Sequence, residues 1–208
     1  MQRVLLVDDH AVVRRGVRAI LEEDMPALSI AEAASGDEAL AALEEKFDAV
    51  VLDLSMPGRD GFDLLTEIKH RHPKLPVLIM SLHSEEQFAL RALRAGAAGY
   101  LTKSTAPEQL VAAVTKVLRG GRYISESVAD RLAADAGGPA AASPHERLSD
   151  REFDVMRGIA SGRSVSEIAA QMHLSVKTVS TYRTRLLEKM HMSSNAELTR
   201  YALEAGLV

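Results

Sequence analysis

Five side chains of this 208-residue chain are of the types needed to handle a phosphoryl group: Asp8, Asp9, Asp53, Ser81 and Lys103. Asp8 and Asp9 are adjacent carboxylates. If Asp53 lies beside them, like charges repel and raise carboxylate pKa values unless a cation intervenes. A cluster offering only oxygen suits Mg²⁺, which takes one or two carboxylates, waters and phosphate oxygens. Ser81 adds a hydroxyl and Lys103 a fixed cation. A carboxylate nucleophile, a divalent-metal site, a hydroxyl and a cation are together what phosphoryl transfer to an aspartate requires.

The elements around these residues are expected to bring them together. Short apolar runs at Val4–Val7, Leu28–Ala33, Ala49–Leu52, Val77–Met80 and Ala97–Leu101 read as buried parallel strands. Amphipathic stretches at Ala11–Glu22, Gly36–Glu45, Gly61–Arg71, Glu85–Ala95 and Pro107–Arg119 read as the helices between them. Five such units predict an α/β fold: a doubly wound parallel sheet of order 2-1-3-4-5. In that order strands one and three are neighbours, so Asp8, Asp9 and Asp53 share the carboxyl edge where ligands bind. Ser81 and Lys103 follow strands four and five on the same edge.

Taken singly, each residue has a plainer reading. Asp8 or Asp9 could N-cap the first helix, and Ser81 could be a cap. Lys103 could be a solvated surface lysine. His10 adjoins the acidic pair and reads as a first-turn helix residue, not as a phosphodonor.

Gly120-Gly121 is expected to stop the fifth helix, and Ser125–Ala136 could form one more. The stretch Gly137–Pro144 has no periodicity and reads as linker. The division is therefore 1–120, a linker at 121–145, and a small all-α domain at 146–208. Net charge is −4 overall; residues 146–208 carry 9 Lys and Arg against 8 Asp and Glu. That balance excludes a strongly basic DNA-wrapping protein but leaves room for a local basic surface. With no cysteine, disulfides and thiolate chemistry are excluded. No apolar run approaches membrane-spanning length, and the N-terminus does not read as a signal peptide, so a cytoplasmic location without membrane contact is expected.

Within the last domain, Ser149 followed by Glu152 is a capping-box pattern that starts a helix near Asp150. Two more helices follow, Ser164–Met172 and Ser175–Met190, joined by a tight turn. The pair fits a DNA-reading helix-turn-helix. On the second helix Val179, Leu186 and Met190 should face the core. Lys177, Ser180, Thr181, Thr184 and Glu188 share the groove side. Arg183, Arg185 and Lys189 flank it and suit phosphate contacts. The alternative is a solvated face of a docking domain for protein or RNA.

Val7-Asp8-Asp9-His10, Asp53-Leu54-Ser55-Met56-Pro57-Gly58, Ser81 and Tyr100-Leu101-Thr102-Lys103 together resemble the signature of bacterial response-regulator receiver domains, which are flavodoxin-like. The resemblance implies Asp53 as the phosphoacceptor and Asp9 as a direct Mg²⁺ ligand. It likewise implies Asp8, Asp53 and the Ser55 backbone carbonyl as the rest of the metal set. It also implies that Ser81 and Lys103 hold the phosphoryl group, and that Tyr100 is the switch aromatic.

Leu148-Ser149-Asp150-Arg151-Glu152, Glu167-Ile168-Ala169, Lys177-Thr178-Val179, Leu187-Glu188-Lys189-Met190 and the last helix resemble the LuxR-type DNA-binding domain of the NarL/FixJ group. The stretch Lys177–Tyr182 most resembles the BvgA, EvgA and GacA branch. The implied function is a transcription factor phosphorylated on Asp53 by a sensor histidine kinase. Its DNA contacts would come from Lys177, Ser180, Thr181, Tyr182, Arg183, Thr184, Arg185 and Lys189. Phosphorylation would change dimerisation, with Leu198, Tyr201, Ala202 and Ala205 of the last helix as the dimer face or, alternatively, as packing on their own domain.

Two rivals stand beside this reading. An aspartate-nucleophile phosphohydrolase would use the same pocket, but Ser55 stands where such enzymes place a general acid. A signalling adaptor would use the C-terminal helices for protein or RNA.

Overall fold

The computed structural model describes residues 1–56, 61–82, 85–125, 128–130, 143–172 and 174–208. They form two compact units, one within residues 1–139 and one within 140–208.

The first unit is a five-stranded, all-parallel sheet. Its strands are β1 (Gln2–Val7), β2 (Leu28–Ala33), β3 (Ala49–Leu52), β4 (Val77–Ser81) and β5 (Gly99–Thr102), in the order β2-β1-β3-β4-β5. The interleaved helices are α1 (Ala11–Asp24), α2 (Gly36–Ala42), α3 (Gly61–Arg71), α4 (Glu85–Arg94) and α5 (Pro107–Leu118). Val4, Leu6, Val51 and Leu78 point to one face, where they pack with Val17 and Leu21 of α1 and Val114 and Val117 of α5. Strand alternation sends the equally buried Leu5, Val7, Val50 and Leu52 to the other face. This two-sided burial accounts for the unbroken apolar runs.

One helix is shorter than expected, and another stops where its glycines predict. Helix α2 stops at Ala42, because Glu44 and Glu45 donate to Ala41 and Ala42 in tight three-residue turns. Helix α5 ends before Gly120, whose φ of +79° reverses the chain while Gly121 N–H bonds back to the Lys116 carbonyl. The chain then returns to the sheet. Tyr123 N–H donates to the Ala98 carbonyl, and Tyr123 bridges Gly99 in parallel fashion. Residues 128–130 are helical and Ser125 is not; residues 126–127 and 131–136 of the helix expected over Ser125–Ala136, and the linker through 142, lie outside the described residues.

The second unit opens with a 3₁₀ turn, Pro144–Arg147, followed by α6 (Asp150–Ala160), α7 (Val165–Gln171), α8 (Val176–Met190) and α9 (Asn195–Glu204). Capping boxes start α6 (Ser149 with Glu152) and α7 (Ser164 with Glu167). Ser175 and Ser194 cap α8 and α9 by accepting from Thr178 and Glu197 N–H. Four side-chain caps in one small unit let helices of 7 to 15 residues begin sharply. Of the turn expected at 173–175, His173 lies outside the described residues.

Candidate functional site

The acidic cluster follows from strand register. Val7 pairs with Leu52, and Asp53 N–H donates to the Val7 carbonyl at 2.8 Å, so Asp8 and Asp53 emerge side by side. Ser81 pairs with Thr102, and Lys103 N–H donates to the Ser81 carbonyl at 2.7 Å. Asp8, Asp53 and Ser81 are all 0% exposed.

Lys103 holds the centre. Its Nζ donates to Asp53 Oδ2 at 2.7 Å and stands 2.7 Å from Asp8 Oδ2, the latter an ion pair without an aligned hydrogen bond. The other oxygen of Asp53 accepts from Ser55 N–H at 3.0 Å. Burial pushes the Asp53 carboxyl up from its ordinary value, only partly offset by the Lys103 ammonium and the Ser55 N–H, with Asp8 adding to the rise. Burial alone would lower Lys103; the facing carboxylates of Asp53 and Asp8 more than offset it and hold its pKa above the ordinary value.

Neither aspartate at the end of β1 caps α1. His10 is the N-cap residue and makes no side-chain cap bond. Asp8 Oδ1 instead accepts from His10 N–H at 2.7 Å. The His10 ring lies against the acids, with Nδ1 2.9 Å from Asp9 Oδ1 and 3.3 Å from Asp8 Oδ1. Asp8, Asp9, His10 and Asp53 each place one ligand atom within 4.8 Å of the others. Asp8 Oδ2 and Asp9 Oδ1 are buried oxygens that face the Lys103 ammonium and the His10 ring without an aligned hydrogen bond. Such oxygens, on three carboxylates converging from two strands, fit a hard divalent cation. Sequence reasoning set His10 aside; its position directly after the acidic pair was the available signal.

Tyr100 is 1% exposed. Its ring is inside the fold, on the strand that leads to Lys103. Gly61, at the start of α3, is pressed against the segment following Asp53: a Cβ there would fall 2.4 Å from Leu54 Cα and Leu54 O.

In the second unit, α8 divides as its spacing predicts. Val179, Leu186 and Met190 are buried, while Lys177, Ser180, Thr181, Thr184, Arg185 and Glu188 are exposed. The Thr181 and Thr184 hydroxyls donate to the carbonyls of Lys177 and Ser180, leaving their methyls and remaining lone pairs to face outward. Tyr182 is half-buried.

Two cations expected to meet phosphate have protein partners. Lys189 Nζ donates to Glu152 Oε2 at 2.7 Å, and Arg183 Nε donates to Asn195 Oδ1 at 2.7 Å. Glu152 is only 2% exposed and also accepts from Ser149 N–H. The pair therefore ties the end of α8 to the start of α6.

The expected dimer face of α9 is corrected in part. Leu198 and Ala202 are 0% exposed, and the Tyr201 hydroxyl is 2.6 Å from His145 Nδ1. These residues serve their own domain, because a small helical unit needs an inner face on every helix. The exposed residues of α9 and its end include Leu203 and Ala205.

A parallel α/β unit with an acid-and-lysine cluster at its carboxyl edge, followed by a capped helix-turn-helix, defines a receiver joined to a DNA-binding domain. Residues 4–115 match the response regulator receiver domain, and residues 146–202 match the bacterial regulatory proteins of the luxR family. The chain is 37% identical over 209 residues to response regulator UvrY of Escherichia coli K12, covering 100% of this chain and 96% of that protein. It is 39% identical over 209 residues to response regulator GacA of Pseudomonas protegens, covering 100% and 98%. Among solved structures, RcsB of Salmonella typhimurium superposes with a TM-score of 0.60 at 28% identity, over 97% of this chain and 98% of that one. RcsB bound to promoter rprA in the presence of the phosphomimetic BeF3− gives 0.60 at 27% identity, over 96% and 97%. The chain belongs to the bacterial response regulators of the NarL/FixJ type, in the GacA branch, and is a DNA-binding transcription regulator. That membership sets aside both the phosphohydrolase and the adaptor. Among the described residues, no helix is long and apolar enough to cross a membrane.

Proposed function

We propose that Asp53 accepts a phosphoryl group from the histidine of a sensor kinase, and that the modified receiver promotes promoter binding as a homodimer in the cytoplasm. The observation carrying this reading is the placement of Lys103 Nζ against Asp53, with the Asp8 and Asp9 carboxylates beside it. Ser55 N–H and Lys103 fix the two oxygens of Asp53, so the nucleophile is oriented before a donor arrives. One carboxylate oxygen forms the new P–O bond as the P–N bond to the donor imidazole breaks, and the nitrogen keeps the electron pair. Lys103 then exchanges its carboxylate partner for a phosphoryl oxygen, with the Ser81 hydroxyl as a second donor.

The residues that would hold Mg²⁺ are Asp8, Asp9, Asp53 and the Ser55 carbonyl; bound there, the ion supplies charge neutralisation at the transferring group. With Ser55 at the general-acid position, the chain itself offers no acid there to speed hydrolysis, and the phosphoryl group is retained for a time. Tyr100, buried on β5 where it pairs with Ile79 of β4, would report the change as a shift of its packing. DNA would be read by α8, with Lys177, Ser180, Thr181, Thr184 and Arg185 outward and Tyr182, Arg183 and Lys189 bracing the helix.

The test is incubation with a low-molecular-weight phosphoryl donor and Mg²⁺, followed by mapping of the modified residue. Phosphoryl on Asp53, absent from Asp53→Asn, is expected. Labelling of another residue, or undiminished labelling of the variant, would remove the proposal.

A further inference from the structure

We propose that His10 is a metal-selectivity residue: its imidazole turns the acidic site into a mixed nitrogen–oxygen site favouring borderline transition ions such as Co²⁺ over Mg²⁺. The inference rests on the reading of Asp8, Asp9 and Asp53 as a cation site.

The geometry is specific. His10 sits at the N-cap of α1 with extended backbone (φ −86°, ψ 102°), yet its side chain makes no cap bond. The ring turns to the carboxylates instead, its Nδ1 2.9 Å from Asp9 Oδ1 and 3.3 Å from Asp8 Oδ1. That nitrogen belongs to the same set as the three carboxylates, all ligand atoms lying within 4.8 Å of one another. Ligand atoms around one small cation are separated by distances of this order. Asp9 Oδ1, buried in this space, makes no aligned hydrogen bond and has the His10 ring nitrogen as its near neighbour. The ring itself is 54% exposed, so it can adjust without disturbing the core.

Without a cation, Nδ1 faces Asp9 Oδ1 at 2.9 Å. When one enters, the same nitrogen can turn its lone pair to the ion. Imidazole is a good ligand for Co²⁺, Ni²⁺ and Zn²⁺ and a poor one for Mg²⁺, which prefers oxygen. The backbone N–H of His10 already holds Asp8 Oδ1, so the residue also orients a carboxylate, and that part survives substitution of the ring.

The test is calorimetric titration of the full chain with Mg²⁺ and, separately, with Co²⁺. It includes competition between the two ions and the variants His10→Asn, His10→Gln and Asp9→Asn. Competition and Asp9→Asn restrict the readout to this site, because the chain has 7 histidines. The expected result is competitive binding, with both His10 variants losing about tenfold or more in Co²⁺ affinity. Mg²⁺ affinity should stay within about twofold, since oxygen ligands carry it. Equal losses for both ions, or no loss of Co²⁺ affinity while Mg²⁺ still binds, would overturn the role of His10. If neither ion binds the wild type in an Asp9-dependent way, the cation-site reading fails as well, and that failure is distinct from the others.

Discussion

Lys103 Nζ stands 2.7 Å from both Asp53 Oδ2 and Asp8 Oδ2, so one ammonium balances two fully buried carboxylates carried on different strands. Removing it leaves those charges facing each other away from water. Lys103→Met should therefore destabilise the first unit by about 3 kcal/mol at neutral pH. The loss should shrink as pH falls through the raised Asp53 value and that carboxyl takes up a proton. Thermal unfolding across an acid-to-neutral pH series measures both effects.

Asp53 makes the opposite contribution. Its folded-state pKa lies above the unfolded value, so its stabilising effect is full in acid and is lost as pH rises through the folded value. Asp53→Asn, in the absence of divalent metal, should unfold at a higher temperature than wild type at neutral pH. The gap should close in acid and narrow when Mg²⁺ is added. Equal stability of the two proteins at neutral pH would count against a carboxylate held in an unfavourable site.

In the second unit, Asp154 is pushed up to about 6 by burial, which Arg151 and Arg157 only partly offset. By the same sign rule, this unit should lose stability between about pH 4 and pH 6, by on the order of 2 kcal/mol. Asp154→Asn should flatten that slope, as read from hydrogen exchange of the amides in α6 and α8.

Lys189 and Arg185 lie on the same helix but should behave differently. Glu152→Ala removes a capping-box partner and the anchor of Lys189, and should cost about 2–3 kcal/mol. Lys189→Ala should lower stability with little change in the salt dependence of DNA binding. Arg185→Ala, at an exposed position, should leave stability intact and reduce the salt slope by about 1. Affinity measured at several salt concentrations separates the two.

Gly61→Ala is expected to destabilise the first unit by about 1–3 kcal/mol, because its Cβ would meet the backbone of Leu54 rather than a movable side chain. Because Leu54 directly follows Asp53, the variant should also slow phosphoryl uptake. A fully stable Gly61→Ala would show that this approach is not needed.

The sheet order and the acidic edge could be read from the chain because they depend on local signals: apolar runs, and Asp, Ser or Lys at their ends. The core side of α8 was readable for the same reason, with Val179, Leu186 and Met190 repeating at helical spacing. Contacts between residues far apart in sequence were not readable. Lys103 reaching Asp8 as well as Asp53, Lys189 closing on Glu152, and Tyr123 returning to bridge Gly99 all depend on how finished elements meet. The inner face of α9 was ambiguous for a related reason. An apolar stripe gives the same pattern whether it covers its own domain or a second copy, and only the burial of Leu198 and Ala202 decides.

On this reading, phosphorylation of Asp53 controls the DNA-binding helices. The most direct measurement is genome-wide DNA occupancy of wild type beside Asp53→Asn, expressed at equal levels under conditions that activate the kinase. Discrete promoter sites are expected for the wild type, with a marked loss of occupancy at them for the variant. Equal occupancy by both proteins would contradict the phosphoryl switch.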